Sequence, residues 1–166
     1  MKAIFLIRSL EAGGAERVFA TYVDALRSYD PLVVLHDPIV DRGFEVPPRI
    51  TMRPIIRNRL VRRTLGFVPP VAKIVEAWLL ARIARQSGAR VIVSFLFKSN
   101  RVAILTKRLF AHDLHVVLTA HEQLSQHIVN AHEHGWERAM HRWIARSLWK
   151  HADRVVAVSH GVKDDL

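Results

Sequence analysis

Three runs are almost wholly apolar over the length of a strand: Val91-Ile92-Val93-Ser94-Phe95-Leu96, His115-Val116-Val117-Leu118-Thr119 and Arg154-Val155-Val156-Ala157-Val158. A strand with one wet face alternates apolar and polar residues, whereas a continuous apolar run is covered on both faces. Segments of helical spacing lie between these runs, so strand and helix alternate along the chain. That combination predicts an α/β fold in which a parallel sheet is sandwiched by helices. In such sheets ligands bind beyond the carboxyl ends of the strands. The residues that follow the strands are therefore the first functional candidates.

The first strand is expected over about residues 2–8 and the first helix from near Gly14 to Arg27, with Val18, Tyr22, Val23, Ala25 and Leu26 as its apolar side. Leu32-Val33-Val34-Leu35 reads as strand two, residues 38–50 as a proline-rich loop, and Ile50 to Pro54 as a short strand three. Pro69-Pro70 opens a helix to about Gln86, and Ser87-Gly88 stops it. Strand four covers Arg90 to Leu96, followed by a helix from about Ser99 to Phe110. Strand five is His115 to Thr119. Residues 122–135 form a polar, histidine-rich loop, and a helix from Trp136 to about His151 leads into strand six and a last helix after Gly161.

The carboxyl ends then present Ser9 to Gly14, Lys98 to Asn100, Thr119 to Glu122, and Ser159 to Gly161. Gly13-Gly14 stands between a strand and a helix. Glycine lets backbone approach a ligand, and the free N–H groups of a first helical turn suit a phosphate or diphosphate. A plain tight turn is the alternative, because the spacing matches neither Gly-x-Gly-x-x-Gly nor the P-loop. Glu16 and Arg17 could pair with each other, complement the helix dipole or touch ligand. The alternative for Ser99 or Asn100 is a helix cap.

The chain of 166 residues has no cysteine, which excludes disulfides, thiolate metal sites and cysteine nucleophiles. No metal site is expected: Ser125 stands where His121-Glu122 would need a second histidine, and His132 and His134 have no well-spaced third partner. Ser159-His160-Gly161 lacks the leading glycine of a nucleophile elbow. No signal peptide or membrane-spanning run is visible.

Net charge is +10, and its distribution is uneven. Residues 53–111 hold thirteen basic residues against Glu76 alone, while 1–52 and 112–166 each hold six basic and seven acidic residues. A local excess of this kind implies a polyanionic partner. Arg57, Arg59, Arg62 and Arg63, interleaved with Ile and Leu, are the candidate contact with an anionic membrane surface. Arg138, Arg142, Arg146 and Lys150 form a second basic stripe beside Trp149, which would suit lipid headgroups or simply face solvent. No recognition-helix motif or stacking platform points to nucleic acid.

Four stretches together resemble one family: Gly13-Gly14-Ala15-Glu16-Arg17, Val91 to Leu96 with Asn100, Thr119-Ala120-His121-Glu122, and Ala152 to Ser159 before a helix. In this order they look like the amino-terminal domain of a family 4 glycosyltransferase, closest to bacterial enzymes that extend lipid-linked oligosaccharides. The resemblance implies a Rossmann-like domain, the acceptor-side half of a GT-B fold. A carboxyl-terminal donor-binding domain with a Glu-x7-Glu motif is absent from these residues, so the 166 residues alone are expected to be inactive. It further implies retaining transfer from a nucleotide-sugar, the co-substrate, to a lipid-linked or surface glycan, with no metal cofactor, on the inner face of the cell membrane. Gly13 and Gly14 match the loop near the donor diphosphate, and His121 matches the histidine near the transferring sugar; its alternative is a histidine bonding a backbone carbonyl. Lys98, Ser99, Asn100, Glu122 and Ser159 are the acceptor-side candidates. The competing reading is a non-catalytic membrane-associated subunit that completes a site with a separate donor-binding chain.

Overall fold

The computed structural model describes residues 2–10, 13–37, 50–65, 67–121, 147 and 149–164, with Arg59 described by its backbone only. Strand β1 (Ala3–Ile7) leads into helix α1 (Gly14–Ala25), a 3₁₀ turn (Arg27–Tyr29) and strand β2 (Pro31–Leu35). Strand β3 (Thr51–Pro54) and helices α2 (Arg59–Leu65) and α3 (Pro69–Ser87) follow, then strand β4 (Val91–Phe95), helix α4 (Phe97–Leu109) and strand β5 (His115–Ala120). Strand β6 (Arg154–Ala157) and helix α5 (His160–Asp164) come last among the described residues. All the strands pair in parallel in one six-stranded sheet, ordered β3-β2-β1-β4-β5-β6. The chain thus builds outward from β1 through β2 and β3, then returns to the other side of β1 at β4. Between β1 and β4 lies the switch point, where a crevice opens at the carboxyl edge.

Alternation along the strands divides the core in two. Ile4, Leu6, Leu32, Val34, Ile92, Val116 and Leu118 pack with α3 and α4 through Ala77, Leu80, Ala81, Val102 and Ile104. Phe5, Ile7, Val33, Leu35 and Phe95 face the other way onto Phe19 and Val23 of α1. The expected sandwich is therefore present, with some elements shifted. The buried side of α1 is Phe19 and Val23, with Leu26 partly covered, while Tyr22 and Ala25 are exposed. Phe19 sets this face because its ring meets Phe5 and Phe95 edge-on, at 6.4 and 4.9 Å between centroids. The stop at Gly88 is as expected, with φ +70° closing α3 on the Ala84 and Arg85 carbonyls. Strand β6 departs from the expected double cover: it is an outer strand of the sheet, and Arg154, Val155 and Val156 are exposed. The 38–49 loop, the 122–135 loop and most of the helix expected from Trp136 lie outside the described residues.

Asp153 fastens β6 to the sheet. Its Oδ2 accepts hydrogen bonds from Lys107 Nζ and from the buried Val116 amide, each at 2.6 Å, and its own amide donates to the Val116 carbonyl at 2.9 Å. Burial raises the Asp153 carboxyl, but the Lys107 and Val116 bonds outweigh it and hold the group below its ordinary value of 3.8. A depressed carboxylate contributes stability that is present at neutral pH and lost as pH falls through its folded-state value. Asp153→Ala leaves the Val116 donor without this acceptor, so unfolding in urea at pH 7 is expected to show a loss of about 1–3 kcal/mol. The difference from wild type should shrink below pH 3.8. Unchanged stability at pH 7 would contradict this role.

Candidate active site at the carboxyl edge of the sheet

The β1–α1 corner brings Gly13 and Gly14 to the carboxyl edge beside β4. Gly13 is the N-cap residue of α1 in extended backbone, φ −149° and ψ 164°, and no side chain caps the helix. Neither glycine has the positive φ that would make it a conformational necessity. Their difference lies in what surrounds them. A Cβ on Gly13 would collide with the Glu16 carboxylate, which folds back over the corner, whereas a Cβ on Gly14 would meet nothing within 4 Å. Glu16 therefore occupies the place at the helix N-terminus that favours negative charge, and an arriving phosphate must displace it. The space beside Gly14 is open.

His121 follows β5 on the same face of the sheet. Its ring stacks on Phe95 with centroids 5.5 Å apart and planes 29° from parallel, and Phe95 is held edge-on by Phe19 and Tyr22 of α1. The Thr119 hydroxyl donates to the Ser94 carbonyl at 3.0 Å. Its single hydrogen is thus used, so His121 Nε2, 3.0 Å from the same oxygen, is the donor of that pair. The partner of Nε2 is thus the Thr119 hydroxyl rather than a backbone carbonyl. The network sets both the tautomer and the tilt of the ring, and α1, β4 and β5 all contribute to it.

Asn100 and Ser99 stand elsewhere than a helix cap would place them. Helix α4 begins two residues before Ser99, at Phe97, and its N-cap residue is Leu96 with φ +70°, a conformation costly for a branched side chain. That turn carries Ser99 and Asn100 inside the first turns of the helix, where both are buried. Asn100 Nδ2 donates to the Thr119 carbonyl at 3.1 Å, so Asn100 positions the end of β5 from which His121 projects. Ser159 is exposed, and its Oγ accepts from the Val162 amide at 3.3 Å, a cap on α5. Glu122 lies outside the described residues.

On the opposite face of the sheet, the same edge holds a cavity of about 270 Å³ between the ends of β1 and β2, the start of α4, and α2 and α3. Arg8, His36, Asp37, Arg62, Lys73, Glu76 and Lys98 line it, over an apolar floor that includes Ile56 and Leu65. Of these, sequence reasoning singled out Lys98 for a substrate and Arg62 for the membrane. Arg62 lies within an ion pair instead: its Nη1 is 2.8 Å from Asp37 Oδ1, while Arg8 Nε is 3.2 Å from Asp37 Oδ2. Asn58 caps α2 through the Leu60 amide at 2.9 Å and so sets the helix that delivers Arg62. Arg57 and Arg63 are exposed, as a surface role requires. No group of three or more His, Asp or Glu residues suited to a metal occurs among the described residues.

The fold and its carboxyl edge have counterparts of known structure. HepE of Anabaena, solved in complex with UDP and glucose, superposes with a TM-score of 0.65 at 18% identity, over 99% of this chain and 40% of HepE. The apo form of the lipopolysaccharide outer core galactosyltransferase WaaB superposes with a TM-score of 0.64 at 13% identity, over 99% of this chain and 41% of WaaB. The chain thus spans about 40% of the length of these structures, and its fold is that of the amino-terminal half of a GT-B glycosyltransferase. No curated protein matches it. The model of Glycosyltransferase Family 4 matches residues 12–166, and with nearly the whole length covered the chain belongs to that family.

Proposed function

We propose that this chain is the acceptor-side half of a retaining glycosyltransferase that moves a sugar from a nucleotide-sugar to a lipid-linked or surface glycan. The observation that carries this reading is the meeting of the open Gly14 corner and the oriented His121 ring on one face of the sheet, at the switch-point edge of a family 4 domain. A donor-binding domain outside these residues would supply the nucleotide site. HepE was solved with UDP and glucose, which favours a uridine diphosphate sugar as the first donor to try.

In this account the α1 N-terminus stabilises the charge that develops on the leaving diphosphate, and Glu16 swings aside to admit it. His121 orients the transferring sugar through a hydrogen bond. No metal enters the scheme.

The protein is proposed to work at the inner face of the cell membrane. Leu60 and Phe67 are 72% and 80% exposed, and Val71, Ile74 and Trp78 continue an apolar stripe along α3. Arg82 lies over the Trp78 ring at 5.9 Å. Beside the stripe a groove of about 360 Å³ is lined by Arg53, Arg57 and Arg82. Arginines around an apolar helical face suit a lipid interface, each basic residue near an anionic surface contributing about 1 kcal/mol. No helix among the described residues is long and apolar enough to cross a membrane. Sedimentation with vesicles is expected to show binding to anionic lipid that weakens at high salt; equal binding to neutral vesicles would contradict the charge-driven part.

The function itself is tested with a panel of labelled nucleotide-sugars and a lipid-linked oligosaccharide acceptor. Transfer is expected only when the donor-binding domain is present. Transfer by residues 1–166 alone would overturn the two-domain reading, and its absence from the complete protein with every donor would overturn the enzyme reading.

A further inference from the structure

The cavity on the α3 face contains more positive charge than its own acids satisfy. Four cations, Arg8, Arg62, Lys73 and Lys98, face two carboxylates, Asp37 and Glu76. Both carboxylates are committed. Asp37 is shared by Arg8 and Arg62. Glu76 Oε2 is 2.8 Å from Lys73 Nζ and 3.3 Å from His36 Nδ1. Burial raises the Glu76 carboxyl, but the His36 and Lys73 contacts more than reverse this and keep it below its usual range, so it is an occupied acceptor and not a spare base.

Two polar groups on the cavity wall are left over. Lys98 has no hydrogen bond or ion pair with any described residue, and burial, then repulsion from Arg8 and Lys73, lowers its pKa. The His36 side chain is only 8% exposed, and its Nε2 has no partner. A buried polar atom without a partner is costly, and a lysine crowded by other cations is relieved by an anion. The first turn of the 19-residue helix α3, Pro69 to Ala72, also lines the cavity and presents its positive end without a side-chain cap.

We infer that this cavity binds an anionic group, a phosphate monoester or a carboxylate, carried by the acceptor sugar. The inference rests on the reading of the carboxyl edge as the substrate side. The volume, about 270 Å³, is near the lower bound of roughly 300 Å³ usual for small-ligand pockets, so it suits a single charged sugar unit and not a long glycan. The Gly13–Gly14 corner does not line this cavity and packs on the other face, so the cavity is separate from the proposed diphosphate position.

The test is calorimetric titration of the complete protein at low salt with glucose 6-phosphate, galacturonate, neutral galactose, UDP and anionic phospholipid vesicles, for wild type and Lys98→Gln. Direct binding is read, so the outcome does not depend on whether sugar is transferred. The two acidic sugars are expected to bind at least roughly tenfold more tightly than galactose, and K98Q to remove roughly that advantage, as for loss of one charge-assisted contact. Arg8→Gln should have a similar effect, while UDP binding should change little in either variant. Equal binding of acidic and neutral sugars, or acidic-sugar binding untouched by K98Q, would overturn the inference. Loss confined to UDP or to the vesicles would also overturn it, by assigning Lys98 to the donor or to a lipid headgroup.

Discussion

In the complete enzyme, Gly14→Val is expected to lower turnover by roughly two to three orders of magnitude, the scale of losing well-placed donors to a developing oxyanion. The valine side chain would fill the open space beside the α1 N-terminus, where nothing of the protein lies within 4 Å of a Cβ. The melting temperature should hardly move. Gly14 is exposed and helical without positive φ, and glycine is a poorer helix former than valine, so the folded state has no reason to reject the side chain. Loss of turnover with an intact fold would separate a ligand role from a turn role. Wild-type donor affinity and turnover would remove the diphosphate position from this corner.

The second large effect is expected for His121→Ala. Turnover should fall on the order of a hundredfold, the usual contribution of a positioned polar group at a reacting centre. Stability should fall by only about 1 kcal/mol, because the lost contacts are one aromatic stack on Phe95 and one hydrogen bond to Thr119. Paired thermal unfolding and steady-state kinetics distinguish the outcomes. A large loss of stability with turnover retained would make His121 a structural plug on Phe95 and nothing more.

Much of the fold could be read from local signals. The runs at β4 and β5 were legible because central strands bury both faces, and the end of α3 because Gly88 must take a left-handed conformation. The α1 face was misjudged because apolar residues surround that helix. Only the rings of Phe5 and Phe95, distant in sequence, select Phe19 and Val23. The start of α4 was placed late because nothing in the sequence announces a leucine at φ +70°.

The site divides in the same way. Gly13, Gly14 and His121 were visible because they follow strands, as ligand-binding residues in such sheets do. Arg8, His36, Asp37, Lys73 and Glu76 were not, since their common cavity exists only once β1, β2, α2, α3 and α4 are assembled. Asp37 looked like a strand terminator and Arg62 like part of a surface cluster until the fold paired them. Asp153 sat inside a family-like motif, but its bond to the Val116 amide is a tertiary fact.

The central claim is that donor and acceptor meet at the carboxyl edge of this sheet. Amide hydrogen exchange of the complete protein, with and without saturating nucleotide-sugar and acceptor, tests it most directly. Protection is expected at Arg8, at Gly13 to Phe19, at Leu96 to Asn100 and at His121. The opposite edge, at Gly88 to Arg90 and Ala111 to Leu114, should be unaffected. Protection at that opposite edge, or none at the carboxyl edge under conditions where substrates are bound, would contradict the account.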